Sequence, residues 1–211
     1  MARTRIKICG VRDEEAALAA VDSGADAIGF MFVRSSVRYI DPAEAAELMA
    51  MLPPMVASVG VFMNTPIDSF LDIEEQCPTT HTQLHGEESE ELIASCAPII
   101  KAIRFSPATI AEDLERLNEN ENVEAILIDG PSPGAGVPFQ WTDLKPHLEN
   151  FAKPVFLAGG LTPENVGEAV RTLRPYGVDV SSGVERDRGV KDPALIEAFC
   201  EAVRRADLGG D

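Results

Sequence analysis

Pro154-Val155-Phe156-Leu157-Ala158 runs into Gly159-Gly160-Leu161-Thr162-Pro163, continues as a helical pattern to Arg174, and meets a second apolar run, Val178-Asp179-Val180-Ser181. A short apolar run reads as a buried strand, the glycine pair as the turn that leaves it, and Thr162-Pro163 as a helix start. Strand, turn, helix and strand in that order form a βαβ unit, whose two strands lie parallel in one sheet.

The same unit recurs towards the N-terminus. Earlier apolar runs are Ile6-Lys7-Ile8-Cys9, Ala27-Ile28-Gly29-Phe30, Ala57 to Phe62, a weaker Thr80 to Leu84, Ile99 to Ile103 and Ala125 to Ile128, making eight with the two above. Helical patterns separate them over Asp13–Ser23, Pro42–Met51, Ile67–Gln76, Glu88–Cys96, Ala108–Asn118 and Asp143–Asn150, and continue over Pro163–Arg174 and Pro193–Ala206. Asp41-Pro42, Thr65-Pro66, Ser106-Pro107, Thr162-Pro163 and Asp192-Pro193 each set a capping oxygen before a proline suited to the first helical turn. An open doubly wound sheet carries fewer strands and a glycine fingerprint after the first, which is missing here. The expected fold is α/β, a (β/α)8 TIM barrel forming one domain over residues 1–211. The one long loop, Gly130 to Gln140, follows the sixth strand.

A formal charge of -17 disfavours nucleic acid and anionic membranes as partners, so an anionic substrate has to be caught by local groups. No run approaches the roughly 18 apolar residues of a membrane span, and a cytoplasmic location is expected. Cys9, Cys77, Cys96 and Cys200 lie far apart with no C-x-x-C pair, and the three histidines show no ligand spacing, so no metal is expected.

Barrel active sites form where the strands end at their C-termini. Cys9-Gly10 ends the first strand, Arg38 follows the second, His85-Gly86 the fourth and Asp129-Gly130 the sixth; Gly159-Gly160 and Asp179 to Glu185 end the last two. The final two loops, with Gly-Gly and Ser-Ser-Gly, read as a phosphate cradle of backbone amides or as plain strand ends. Asp129 reads as a general acid or as a loop residue, Cys9 as a base, a nucleophile or a small buried apolar group, and His85 as a catalytic or a hydrogen-bonded strand-end residue.

Lys7-Ile8-Cys9-Gly10, Gln83-Leu84-His85-Gly86, Leu157 to Leu161 and Asp179-Val180-Ser181-Ser182-Gly183-Val184-Glu185 resemble, in order and across nearly the whole chain, the motifs of the phosphoribosylanthranilate isomerase family. Gly134 to Trp141 and Gly189 to Asp192 are similar to two further family segments. The resemblance implies a cofactor-free Amadori rearrangement of a phosphosugar in tryptophan biosynthesis, by a monomer or homodimer. It implies that Asp129, held protonated, is the catalytic acid and Cys9 the catalytic base. Arg38 would then hold the anthranilate carboxylate, Gly160, Ser182 and Gly183 the phosphate, and Asp179 and His85 the sugar.

Three positions depart from the family pattern. Val37 stands in place of a proline, which implies a freer second loop and a less firmly placed Arg38; Ala135 replaces a threonine in loop six, and Arg12 replaces another after the first motif. Two other functions compete. A histidine-pathway isomerase performs the same chemistry, but with a carboxylate on the first strand and a second phosphate signature near the midpoint, where Ser106-Pro107 offers none. A non-catalytic phosphometabolite binder would need neither Cys9 nor Asp129.

Overall fold

The computed structural model describes residues 3–96, 98–130, 140–148 and 151–209. Eight parallel strands close into a barrel: β1 (Arg5–Cys9), β2 (Ala27–Met31), β3 (Ala57–Phe62), β4 (His81–Leu84), β5 (Ile99–Arg104), β6 (Val123–Asp129), β7 (Val155–Leu157) and β8 (Gly177–Val180). Pairing of Lys7 with Ala27 on one side and with Asp179 on the other closes the ring at β1. The surrounding helices are α1 (Glu14–Asp22), α2 (Pro42–Ala50), α3 (Ile67–Gln76), α4 (Glu90–Ser95), α5 (Ile110–Glu119), α6 (Trp141–Leu148), α7 (Val166–Leu173) and α8 (Pro193–Asp207). All eight expected strands are present. Between β8 and α8 the chain adds a 3-10 turn at Ser182–Val184 and a small antiparallel ribbon, β9 (Glu185–Asp187) with β10 (Val190–Lys191).

The pleat sorts each strand into two layers. Ile6, Ile8, Ile126, Ile128, Val178 and Val180 face outwards, where they pack with the helices in the main core. Alternate residues face inwards, and the barrel interior is filled by small and medium side chains such as Ala27, Val59, Ala102, Ala125, Leu127 and Ala158. Burial on both faces is why these strands read as nearly unbroken apolar runs. The same alternation turns Cys9 and Asp129, at odd positions beside Ile8 and Ile128, towards the interior at the rim.

Helix α8 shows how the outer layer is held. Ile196, Phe199, Cys200 and Val203 recur at helical spacing and are fully buried, a stripe worth about 1.5–3 kcal/mol for each large side chain. Asp192 caps it by accepting from the Ala194 and Leu195 amides, and Asp41 caps α2 through Ala43. The other three Pro-containing starts differ from expectation. Pro66 itself takes the cap position of α3 with no side-chain bond; after Ser106-Pro107 and Thr162-Pro163 the chain first makes a turn, so α5 and α7 begin behind Thr109 and Asn165. Asn165 is spent on that turn, its amide bridging the Thr162 N–H and the Gly160 carbonyl. Helix α4 starts later than expected because Ser89 caps it while Glu88 is drawn away to Lys101. Among the described residues no helix is long and apolar enough to cross a membrane.

Candidate active site

A cavity of about 250 Å3 opens at the C-terminal rim of the barrel, and its lining includes Cys9, Arg38, His85, Asp129, Gly160, Asp179 and Ser182. Residues separated by up to 173 positions in the chain are thus brought into one chamber by the ends of six different βα units. Gly183, the remaining residue expected at the site, stands just behind it in the 3-10 turn. Ala135 and most of the loop after β6 lie outside the described residues.

Cys9 is 4% exposed, with its sulfur at the cavity floor. Burial pushes its thiol above the ordinary range; the cations of Lys7 and Lys191 pull it back, and the Asp179 carboxylate adds to the rise. Asp179 does not stand alone at the rim. Its Oδ1 accepts a hydrogen bond of 2.6 Å from the Nζ of Lys7, a side chain that is 1% exposed inside the barrel.

Across the cavity Asp129 is also buried. Its Oδ1 accepts from the Gly130 N–H at 2.7 Å, and its Oδ2 faces Nε2 of His85 at 3.4 Å. His85 Nδ1 meets Nε2 of Gln83 at 3.2 Å. With the Gln83 amide donating to Nδ1, the imidazole proton sits on Nε2 and points at Asp129. The strand end that carries His85 is pinned from outside the barrel, where buried Lys101 donates to the carbonyls of Leu84 and Gly86 and to Glu88.

Arg38 is held from two sides. Its Nε and Nη2 donate to the two carboxylate oxygens of Glu185 at 2.7 and 2.9 Å, the paired geometry peculiar to a guanidinium. The Lys191 ammonium joins the same carboxylate at 3.0 Å and also reaches the Ser181 carbonyl. Burial works against the charge on Glu185, but Arg38, Lys191 and the Gly189 amide overcome it and bring its carboxyl down to about 2. One edge of the Arg38 fork is therefore taken by Glu185, leaving the edge that carries Nη1 for a ligand.

The second loop, in which Val37 stands in place of the expected proline, is hydrogen-bonded on both sides of the Val37–Arg38 link. Arg12, itself a departure from the family pattern, donates from Nη1 to the Val37 carbonyl at 3.1 Å, and the Ser36 hydroxyl accepts from the Arg38 amide. These bonds and the Glu185 fork hold Arg38 at the rim.

The last two loops lock together. A Cβ on Gly183 would stand 1.8 Å from the Leu161 carbonyl oxygen, so the turn after β8 packs backbone to backbone against the segment after β7. Gly160 and Ser182 face the cavity from these two segments. The Ser181 hydroxyl donates to the Cys9 carbonyl at 3.0 Å and so ties the turn to the first strand.

Four residues around this chamber carry charge or polarity that the sequence reading did not assign: Lys7, Gln83, Glu185 and Lys191. Lys7 had left a signal, because a lysine two positions before Cys9 in a strand shares its inward face. Glu185 and Lys191 meet only through the β9–β10 ribbon, which no apolar pattern announces. Among the described residues no group of three His, Cys, Asp or Glu side chains is placed to hold a metal ion.

Comparison with known proteins agrees with the site. A family model for N-(5'-phosphoribosyl)anthranilate (PRA) isomerase matches residues 6–202. An N-(5'-phosphoribosyl)anthranilate isomerase from Moorella thermoacetica is 46% identical over 208 residues, spanning 96% of this chain and 91% of that one. The crystal structure of phosphoribosyl anthranilate isomerase from Thermotoga maritima superposes with a TM-score of 0.85 at 42% identity, covering 95% of this chain and 98% of that one. A further structure, of phosphoribosyl anthranilate isomerase in complex with reduced 1-(o-carboxyphenylamino)-1-deoxyribulose 5-phosphate, gives 0.83 at 41% identity with the same coverage. From the barrel, the rim constellation and these matches together, the chain belongs to the N-(5'-phosphoribosyl)anthranilate isomerase family.

Proposed function

We propose that the chain converts N-(5-phosphoribosyl)anthranilate to 1-(2-carboxyphenylamino)-1-deoxyribulose 5-phosphate, with Asp129 as general acid and Cys9 as general base. The observation that carries this reading is the single cavity into which both side chains open, between a guanidinium on one side and the glycine-lined turns after β7 and β8 on the other. A guanidinium and a pair of glycine-lined turns on the same cavity suit a substrate with an anion at each end.

The chemistry follows from these positions. Asp129 delivers a proton from Oδ2, the oxygen not occupied by the Gly130 amide, to the furanose ring oxygen, and the ring opens to a Schiff base. The C1–O bond breaks while the oxygen stays on C4 as a hydroxyl, and His85, whose Nε2 faces Oδ2, steadies the carboxylate left behind. Cys9, as thiolate, then takes the C2 proton, and the resulting enolamine tautomerises to the ketone. The anthranilate carboxylate rests on the free edge of Arg38, while the amides of Gly160, Ser182 and Gly183 take the phosphate. Amide dipoles and buried cations explain how a chain with a formal charge of -17 accepts a substrate with a carboxylate and a phosphate. Every group named comes from one chain, so the chemistry is the same for a monomer and a homodimer. Cytoplasmic location fits an enzyme whose described cysteines are all free.

Mixing purified protein with freshly generated phosphoribosylanthranilate and following the loss of its fluorescence tests the reading. Turnover in the native chain, lost in Cys9→Ser and in Asp129→Asn with phosphate-analogue binding retained, supports it. Absence of turnover in the native chain favours a phosphometabolite binder instead.

A further inference from the structure

Lys7 is an ionisable side chain inside the barrel to which the reaction above gives no task. It stands two residues before Cys9 on β1, so the pleat sends both side chains to the same side. It is 1% exposed, and its ammonium is anchored on Asp179 of the neighbouring strand β8 at 2.6 Å. On the other side of β1 lies Gly29 of β2. A Cβ there would stand 2.9 Å from Cys9 Sγ and 3.2 Å from Lys7 Nζ, so sulfur and ammonium converge on the space that this glycine leaves open. A buried ion pair kept for stability alone gains little, since apolar groups of similar size do as well or better. A cation placed beside a base that has to carry negative charge has a reason to be there.

We propose that Lys7 is a positioning residue for the catalytic base: its ammonium, tethered by Asp179, stabilises the Cys9 thiolate that removes the C2 proton. The proposal rests on the reading of Cys9 as the base. In that step the C2–H electron pair becomes the C1–C2 double bond, the imine pair moves to nitrogen, and the proton ends on sulfur, while Lys7 keeps its own protons throughout.

The charges around the sulfur come from four directions. Lys7 lies on β1, Asp179 on β8, Lys191 on β10, and Arg38 in the loop after β2, with Glu185 partly cancelling the last two. Strand β2 itself contributes only Gly29. Burial lowers the proton affinity of Lys7, but Asp179 and Cys9 outweigh it and keep the amine protonated. Of the charges acting on the sulfur, the pull of Lys7 exceeds the push of Asp179. Removing Lys7 should therefore raise the proton affinity of Cys9, and removing Asp179 should lower it.

Alkylation by iodoacetamide reads this without substrate. The pH midpoint of Cys9 modification, followed on its own peptide by mass spectrometry, is compared in the native chain, Lys7→Met, Asp179→Asn and the double variant, in which no buried ion is left unpaired. The expected midpoint rises by about one pH unit or more in Lys7→Met, falls in Asp179→Asn and still rises in the double variant. A midpoint unchanged in Lys7→Met or the double variant, or Lys7→Met and Asp179→Asn moving together, overturns the role of Lys7. Turnover retained by Cys9→Ser overturns instead the reading of the base, whatever the alkylation midpoints show.

Discussion

Replacing Glu185 by glutamine removes one charge while keeping nearly the same shape, and the structure sets the size of the effect. The native carboxylate accepts from Arg38 twice, from Lys191 and from the Gly189 amide, and its side chain is 4% exposed. Its carboxyl lies at about 2 in the folded chain against an ordinary 4.5, and each unit is worth about 1.4 kcal/mol. The ionised form thus contributes about 3 kcal/mol at neutral pH, in the range found when one partner of a buried pair is removed. The sign follows from a depressed carboxylate: the contribution is complete above the unfolded value near 4.3 and is lost as pH falls through about 2. Glutamine mimics the protonated form at every pH. Urea denaturation should therefore show Glu185→Gln less stable by about 3 kcal/mol at pH 7 and pH 5, with Tm lower by about 6–12 °C. The gap should shrink by about half at pH 3. A gap under about 1 kcal/mol at pH 7, or one of equal size at pH 3 and pH 7, would refute the assignment of this carboxylate as the electrostatic hub of the rim.

Two further substitutions separate the site from the scaffold. In Gly183→Ala the new methyl group meets the Leu161 carbonyl at 1.8 Å and forces the last two loops apart; KM for the phosphosugar and the inhibition constant of inorganic phosphate should rise about tenfold or more, a loss of roughly 1.4 kcal/mol in binding. Unchanged phosphate inhibition would remove these loops from the binding role. Phe199→Ala empties a fully buried place under α8 and should cost about 3–5 kcal/mol in urea melts while leaving KM unaltered; a cost below about 1 kcal/mol would mean the helix is not held by that stripe.

Most strands were legible because a barrel strand is buried on both faces, which leaves a short apolar word; β4, His81-Thr82-Gln83-Leu84, is the weak one, with Thr82 and Gln83 buried in it. The rim was legible for a related reason: a polar residue ending such a word, as at Cys9, Asp129 or Asp179, has somewhere specific to go. Contacts between distant loops were not. Arg38 was assigned to a substrate carboxylate, and nothing in its own neighbourhood shows that Glu185, 147 residues later, takes one edge of its guanidinium. The spacing of Lys7 to Cys9 placed both on one face of the strand, but its partner Asp179, 172 residues later, leaves no trace near Ile6-Lys7-Ile8. The early prolines misled at α5 and α7, because Ser-Pro and Thr-Pro open turns as readily as helices, and only packing decides between them.

The ion pair at the seam between the first and last strands also orders events in time. Lys7 and Asp179 are separated by 172 residues, and Thr4 is bound through its amide and hydroxyl to Asp207, within the final turn of α8. A chain emerging from the ribosome presents its proposed base 170 residues before the acid that anchors the neighbouring cation. Until β8 docks, a buried lysine would have no counter-ion and β1 would expose an unpaired edge, so early intermediates have every reason to keep that edge open. Closure of the ring joins segments 172 residues apart, which costs loop entropy, and it is the step that sets the Lys7 counter-ion beside the proposed base. Thr4 and Asp207 meet at this same seam, so a chain linked there and cut elsewhere would reschedule that step without altering the finished barrel.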